Sequence, residues 1–173
     1  MLHFVPGWRV RVALRQLLSR RTPPPMPSLF DDTRREALHR RIDRLSPESA
    51  RQFGRMSVEQ MVCHLIDAVE SAFDDDTEPP GTGALSRQPL KWLILNALPW
   101  PKEKGKSPAR LQQRKPTTLA ADVAALHDAI ERLAARDPRA TWPSSEVFGS
   151  LTRDEWGALL HAHCNHHLKQ FSV

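Results

Sequence analysis

The segment that most constrains the fold is residues 156–171, because it places four of the chain's eight histidines within seven residues of an apolar stretch. Thr152 and Glu155 precede it with the spacing of a capping box, which predicts that a helix starts here. At about 100° per residue, one face of this helix is apolar and is formed by Trp156, Leu159, Leu160 and Phe171. His163 and His167 project from the middle of that face, one turn apart. Two buried imidazoles are costly unless partners satisfy their nitrogens, so the rest of the fold must supply such partners.

Histidines at positions i and i+4 of a helix can both bind one divalent ion, which makes His163 and His167 candidate metal ligands. The alternative is a pair of hydrogen-bonded core histidines without a metal. The density of histidines in the segment favours the metal. Gln170 lies beside the pair, His166 lies at the flank of the face, and His161 points away from it.

Composition predicts a single helical domain. The chain has 173 residues, enough for one domain with a substantial core. It lacks tyrosine and is rich in alanine, leucine, arginine and glutamate, which favour helices. Its apolar runs are too short to span a membrane. Two cysteines, Cys63 and Cys164, are too few for a disulfide framework, so we expect a reducing, cytoplasmic location.

The net charge of +5 comes from the N-terminal tail rather than from a basic binding face. Residues 1–25 contain five of the 25 lysines and arginines and no acidic residue, so the other 20 basic residues are matched by the 20 acidic ones. We therefore expect no nucleic-acid partner for the domain. The tail is predicted to be disordered, or to be an upstream artefact of a protein whose translation starts at Met26. A targeting arm or membrane-surface anchor is the alternative. The folded domain is predicted to span residues 26–173.

Apolar periodicity predicts four long helices and no strand, which is the pattern of a four-helix bundle. The expected helices cover residues 33–45, 57–74, 118–135 and 152–169. Thr33 and Glu36 have capping-box spacing at the start of the first helix. A long connection, residues 77–116, separates the second and third helices and carries a short apolar helix at residues 88–98. The predicted fold is therefore an all-α bundle with metal ligands projecting inward from facing helices.

Further candidate site residues lie outside the C-terminal segment. His64 lies at the edge of the apolar face of the second helix, where a lone histidine is more often structural, but the C-terminal pair needs a third ligand. His127, near the buried face of the third helix, is a reserve ligand or a core-edge histidine bonded to a neighbour. His39 is predicted to be a solvated surface histidine. Asp67, one turn after His64, and Glu155 are weak candidates for a general base.

From residue 26 to 173 the chain resembles the DinB/YfiT-like metalloenzyme superfamily, and in particular a branch whose members end in His-x-x-His-His-x-x-Gln-Phe. The corresponding segment here is His163-Cys-Asn-His166-His167-Leu-Lys-Gln170-Phe171, preceded by Phe148-Gly-Ser-Leu-Thr-Arg-Asp-Glu-Trp156. Similar signatures are Arg55-Met-Ser-Val-Glu-Gln-Met-Val-Cys-His64-Leu65 in the second helix and Trp100-Pro-Lys102 in the long connection. The resemblance implies a divalent metal bound by one histidine of the second helix and two of the last, here His64, His163 and His167.

One departure from the branch is Asn165, where an acidic residue is usual. If that acid orients a ligand, ligand basicity is lower in this chain. Relatives in the superfamily include thiol-cofactor-dependent transferases and isomerases and some hydrolases. The resemblance therefore implies an enzyme of thiol-transferase or hydrolase type that acts on a small molecule, with a low-molecular-weight thiol as a candidate substrate.

Three functional hypotheses follow, in order of preference. The first is a metal-dependent enzyme with zinc, nickel or iron, in which Gln170 tunes the ligands and His166 is a proton carrier or alternate ligand. The second is a non-catalytic helical-bundle binding protein with a structural metal or none, for which a homodimer is a candidate assembly. The third is a nucleic-acid or membrane binder that acts through residues 1–25.

Overall fold

A computed structural model describes residues 26–74, 81–96, 111 and 113–173. Five α-helices account for most of these residues: α1 (Asp32–Ile42), α2 (Val58–Glu70), α3 (Leu90–Asn96), α4 (Leu119–Ala134) and α5 (Arg153–Gln170). The predictions made for residues 1–25 and for the Trp100–Lys102 signature lie outside the described residues. The domain boundary at Met26 accordingly stays a prediction.

The fold is the predicted all-α helical bundle. Helix α2 packs along α4, and α5 packs against α1, α2 and α3. The core is apolar where these helices meet, and its largest fully buried side chains include Leu38, Met61, Leu65, Ile130, Leu160 and Leu168. In the described part of the chain, no helix is long and apolar enough to cross a membrane.

A side-chain oxygen caps the start of each of the four long helices. The capping box predicted at Thr152 forms, and a second one forms at Ser57, with the side-chain oxygen of each accepting a hydrogen bond from the third residue of its helix. The prediction that Thr33 caps α1 is wrong. Asp31 is the cap, because its carboxylate accepts from the backbone N–H of Arg34 at 3.1 Å, and Thr33 lies inside the first turn.

The approach of the N-terminal segment to α5 depends on Gly157. The backbone N–H of Leu29 donates to the carbonyl of Gly157 at 3.1 Å, and the Leu29 side chain is fully buried. A Cβ at residue 157 would lie 2.3 Å from Ser28 Oγ and 2.5 Å from the Phe30 ring. Only glycine therefore lets residues 28–30 lie against this helix.

A short antiparallel strand pair, which the sequence did not predict, leads into α5. Its strands are β1 (Ser144–Ser145) and β2 (Gly149–Ser150). The Lys91 ammonium of α3 donates to the carbonyl of Ser150 at 2.8 Å and pairs with Glu155 at 2.9 Å. This buried lysine thus fixes α3 to the start of α5.

Candidate metal centre

Three histidines from two helices converge in the bundle. The Nε2 atom of His163 lies 3.0 Å from Nε2 of His64 and 3.1 Å from Nε2 of His167. One ring nitrogen of each residue lies within 4.8 Å of the other two, so the three can hold a metal ion. His64 comes from α2, whereas His163 and His167 are one turn apart on α5. The structure therefore brings together the three histidines that the helix periodicity and the family resemblance nominated.

The tautomer of His64 is set by a backbone carbonyl. Nδ1 of His64 lies 2.8 Å from the carbonyl oxygen of Leu111. A carbonyl can only accept, so Nδ1 carries the proton and donates it. In the neutral imidazole, Nε2 of His64 is then unprotonated, and its lone pair faces the cluster.

The tautomer of His167 is set by Gln170. The Gln170 amide nitrogen donates to the carbonyl of Phe53 at 2.7 Å, which turns its Oε1 toward Nδ1 of His167 at 3.0 Å. Nδ1 of His167 therefore donates, and Nε2 is again a lone pair. Gly54 makes this arrangement fit: its φ is +77°, and a Cβ there would lie 2.3 Å from the Gln170 amide nitrogen.

These tautomers leave more lone pairs than protons at the centre of the cluster. Nε2 of His64 and Nε2 of His167 are both acceptors and both face Nε2 of His163. A proton on the His163 nitrogen can serve only one of them well. A divalent cation satisfies all three nitrogens at once. The two distances of 3.0 and 3.1 Å also suit one, because two nitrogens about 2.0–2.1 Å from the same ion lie about 2.8–3.4 Å apart at angles between octahedral and tetrahedral.

Burial keeps the three imidazoles neutral, the form that binds metal. His64 is 4% exposed and His167 is 8% exposed. Burial lowers the pKa of His64, lowers that of His163 well below its usual range and lowers that of His167 to about 3. The neighbouring imidazoles lower the pKa of His163 and of His167 further, since a positive charge on one ring disfavours another beside it.

The other two histidines of α5 lie outside the three-histidine cluster. The ring of His166 is 5.0 Å from that of His167 and 5.3 Å from that of Phe53, centroid to centroid. His161 is half-buried, and burial, together with the nearby charges of Arg34 and Arg41, lowers its pKa to about 4.

The two candidate bases are held in structural contacts. The Asp67 carboxylate accepts from the backbone N–H groups of Gln113 and Arg114 at 3.2 and 3.1 Å. Glu155 accepts from the backbone N–H of Thr152 in the capping box and pairs with Lys91. Both carboxylates are therefore occupied by hydrogen bonds within the fold, whereas a general base must be able to accept a proton from a substrate.

His39 and His127 form a separate contact between α1 and α4. Nδ1 of His39 meets Nδ1 of His127, while the Nε2 atoms contact Glu131 at 2.7 Å and Asp43 at 2.8 Å, respectively. The prediction of a solvated His39 is therefore wrong, because its ring is half-buried between these partners. Of the two readings offered for His127, the structure shows a core-edge histidine bonded to its neighbours.

Asn165 also lies apart from the ligand network. Its side-chain oxygen accepts from Arg41 at 2.7 Å, and Arg41 donates as well to the carbonyl of Val173 at 2.7 Å. An acid at this position would pair with α1 rather than orient a ligand. The expected loss of ligand basicity therefore has no support in the contacts of this residue.

The partners that sequence reasoning missed are mostly backbone groups. The carbonyls of Leu111 and Phe53 receive the hydrogen bonds that orient the cluster. A backbone carbonyl leaves no mark on residue type, so no pattern could have identified it. Gly54 gave an indirect signal that the backbone beside Phe53 is unusual, since glycine is the default residue where φ is positive.

A helical bundle with three inward-facing histidines, donated by two helices, defines a class of protein with a potential metal site at its centre. The chain matches the DinB superfamily over residues 29–171 and belongs to that superfamily. No curated protein and no solved structure matches it significantly.

Proposed function

We propose that His64, His163 and His167 bind one divalent metal ion and that the protein is a metal-dependent enzyme of thiol-transferase or hydrolase type. The observation that carries the proposal is the set of fixed tautomers. Leu111 and Gln170 hold the protons of His64 and His167 on the outer nitrogens, which directs two lone pairs at the third imidazole. Without a cation, a proton on the third imidazole can satisfy only one of these lone pairs, whereas a cation can be bound by both.

The donor set favours zinc, nickel or iron, because neutral imidazoles suit these ions better than they suit calcium or magnesium. Three protein ligands leave coordination positions open, as in catalytic rather than structural sites. When bound, such an ion supplies a Lewis acid that can hold a thiolate or lower the pKa of a water.

The residues around the ligands have distinct roles in this proposal. Gln170 holds His167 in one orientation and one tautomer. His166, whose ring is 5.0 Å from that of His167, carries a proton to or from a bound small molecule. A low-molecular-weight thiol is the substrate class that the superfamily suggests.

One observation favours a second function, a non-catalytic bundle with a structural metal or none. Asp67 and Glu155, the acids nearest the cluster in sequence, are both held by backbone N–H groups. Catalysis therefore depends on His166 as the proton carrier. If His166 is dispensable for every tested thiol and ester reaction, the binding-protein function is the better one.

Metal analysis of protein purified without a histidine tag tests the proposal. We expect about one zinc, nickel or iron per chain. Changing His64, His163 or His167 singly to Ala should reduce the metal content to background, because each removal leaves two ligands. His161→Ala and His39→Ala are the matched controls and should retain the metal.

His166→Ala separates binding from catalysis. It should retain the metal and lose turnover, whereas a ligand would lose both. Wild-type protein that lacks metal after growth in metal-supplemented medium, and takes up none on addition of zinc, would contradict the proposal.

A further inference from the structure

Helix α2 is hydrogen-bonded at two points to backbone groups near the end of the long connection that separates α2 from α4. At the first, Nδ1 of His64 donates to the carbonyl of Leu111 at 2.8 Å. At the second, one turn further along the helix, Asp67 Oδ2 accepts from the backbone N–H of Gln113 at 3.2 Å and of Arg114 at 3.1 Å. The helix therefore both donates to and accepts from the same short stretch of backbone.

The second contact point is the stronger anchor. A carboxylate that accepts two backbone N–H groups makes charge-assisted hydrogen bonds, which are about twice as strong as neutral ones. The Asp67 side chain is 13% exposed, so water competes little for the carboxylate oxygens. The Arg114 guanidinium adds a contact at 3.4 Å, but that side chain is 42% exposed and contributes less.

The first contact point is the one that faces the metal site. The Leu111 carbonyl keeps the His64 proton on Nδ1 and turns Nε2 toward His163. The position of Leu111 depends in turn on where residues 113 and 114 are anchored, two and three residues along the chain. Asp67 thus acts on His64 through the backbone, in addition to its negative charge, which opposes the fall in the pKa of His64 that burial causes.

We propose that Asp67 is a positioning residue that couples metal occupancy to docking on α2 of the segment described at Leu111, Gln113 and Arg114. The coupling is a regulation of the site assigned under the proposed function and rests on it. When Asp67 holds the segment, His64 has its acceptor and presents its lone pair. When the segment is released, His64 can rotate or change tautomer, and the site loses one of its three ligands.

Thermodynamic linkage makes this coupling reciprocal. If docking of the segment strengthens metal binding by some factor, metal binding strengthens docking by the same factor. A ligated imidazole is also a better N–H donor, which tightens its bond to Leu111. In this proposal, metal binding therefore stabilises the docked position of Leu111, Gln113 and Arg114 on α2.

Zinc affinity of the full-length chain, measured by competition with a chromophoric chelator, tests the coupling. Asp67→Asn should weaken zinc binding about tenfold, the lower range for partners that orient metal ligands. Glu70→Gln is the matched control. It removes an acid from the same helix together with its ion pair to Arg132, but the N–H groups of Gln113 and Arg114 donate to Asp67 and not to Glu70. The zinc affinity of Glu70→Gln should therefore equal that of the wild type.

Amide hydrogen exchange of the wild type gives a second readout that needs no variant to fold. Zinc should slow exchange of the Gln113 and Arg114 N–H groups by the same factor of about ten that Asp67→Asn loses in affinity. An unchanged affinity in folded Asp67→Asn, or exchange at these two amides that ignores zinc, would overturn the coupling and leave the proposed function standing. Wild-type protein that binds no zinc would overturn the proposed function and the coupling together.

Discussion

The location of single protons controls what the three-histidine cluster can bind. Each imidazole can offer a lone pair from only one nitrogen while the other keeps its proton. In this protein a carbonyl and a side-chain amide make that choice for His64 and His167. The chemistry of the site therefore depends as much on Leu111, Gln170 and Phe53 as on the histidines themselves.

Gly54→Ala tests that dependence. The new Cβ would lie 2.3 Å from the Gln170 amide nitrogen, and the φ of +77° disfavours any side chain. We expect a loss of about 1–2 kcal/mol in the free energy of unfolding together with weaker zinc binding. Urea titration and chelator competition measure the two effects. Gly83→Ala is the control, because its φ is −66° and no atom lies within 4 Å of its added Cβ. Equal behaviour of the two variants would show that Gly54 does not hold Gln170 in place.

His161 gives a prediction about pH. Its pKa in the folded protein is lowered to about 4, first by burial and then by Arg34 and Arg41. The unfolded chain takes up a proton near pH 6.5, where the folded protein does not, so stability falls as the pH drops from about 6.5 to 4. In His161→Gln this part of the pH dependence should disappear, which amounts to about 2 kcal/mol across that range once the full linkage of roughly 3 kcal/mol is reduced for the partly exposed ring. Urea unfolding of both proteins at matched metal content, from pH 7 to 4, measures it. Parallel curves for the two proteins would contradict the prediction.

At the level of elements, the junction between α1 and α4 is polar rather than apolar. Arg35, His39 and Asp43 of the α1 side meet His127 and Glu131 of α4 in one hydrogen-bonded cluster. The other faces of these helices pack in the ordinary way, with Leu38 and Leu126 buried. This cluster therefore joins α1 to α4 through polar side chains.

A double-mutant cycle measures the strength of that junction. His39→Ala and His127→Ala should each destabilise the protein, and the double variant should lose about 1 kcal/mol less than the sum, because the two rings act together. The exposed pair Arg40 and Glu36, 3.8 Å apart on α1, is the control and should couple by about 0.3–0.5 kcal/mol at most. Thermal unfolding followed by circular dichroism suffices. Strict additivity at the histidine pair would mean that the two rings contribute independently.

The sequence predicted elements better than it predicted their connections. Helix bounds followed from apolar period and capping boxes, because both are local properties of neighbouring residues. The cap of α1 was placed at Thr33 rather than at Asp31, since either side chain can accept from a helix N-terminus and only packing decides between them. The two-residue strands near Ser145 are too short to show alternation.

In the site too, local features could be predicted from the sequence and contacts between distant segments could not. The helical period of the last segment predicted that His163 and His167 are ligands, since both lie on one face of one helix. His64 required a family resemblance, because nothing in α2 alone distinguishes a ligand from a core histidine. The roles of Asp67 and Leu111 depend on where a distant segment returns to α2, and no local pattern contains that information.

For the whole molecule, the N-terminal limit of the fold can be tested directly. A chain beginning at Met26 should keep the melting temperature of the full-length protein, because the described contacts of this end begin at Ser28 and Leu29. A chain beginning at Phe30 should melt lower by several degrees. It loses the fully buried Leu29 side chain, whose removal costs about 1.5–3 kcal/mol in transfer free energy alone. Differential scanning calorimetry distinguishes the two. A large loss already at Met26 would place residues 1–25 in the core.

The separation of His64 from His163 along the chain, 99 residues, has a consequence for the timing of assembly. A ribosome adds about 5–20 residues per second, so the second ligand emerges roughly 5–20 s after the first. During that interval α2 exposes a lone imidazole that can hold an ion only weakly. The complete pocket exists only once α5 has docked. If the cluster binds a metal as proposed, the identity of that ion is therefore decided only once α5 has been made and has docked, by whichever ion is then available.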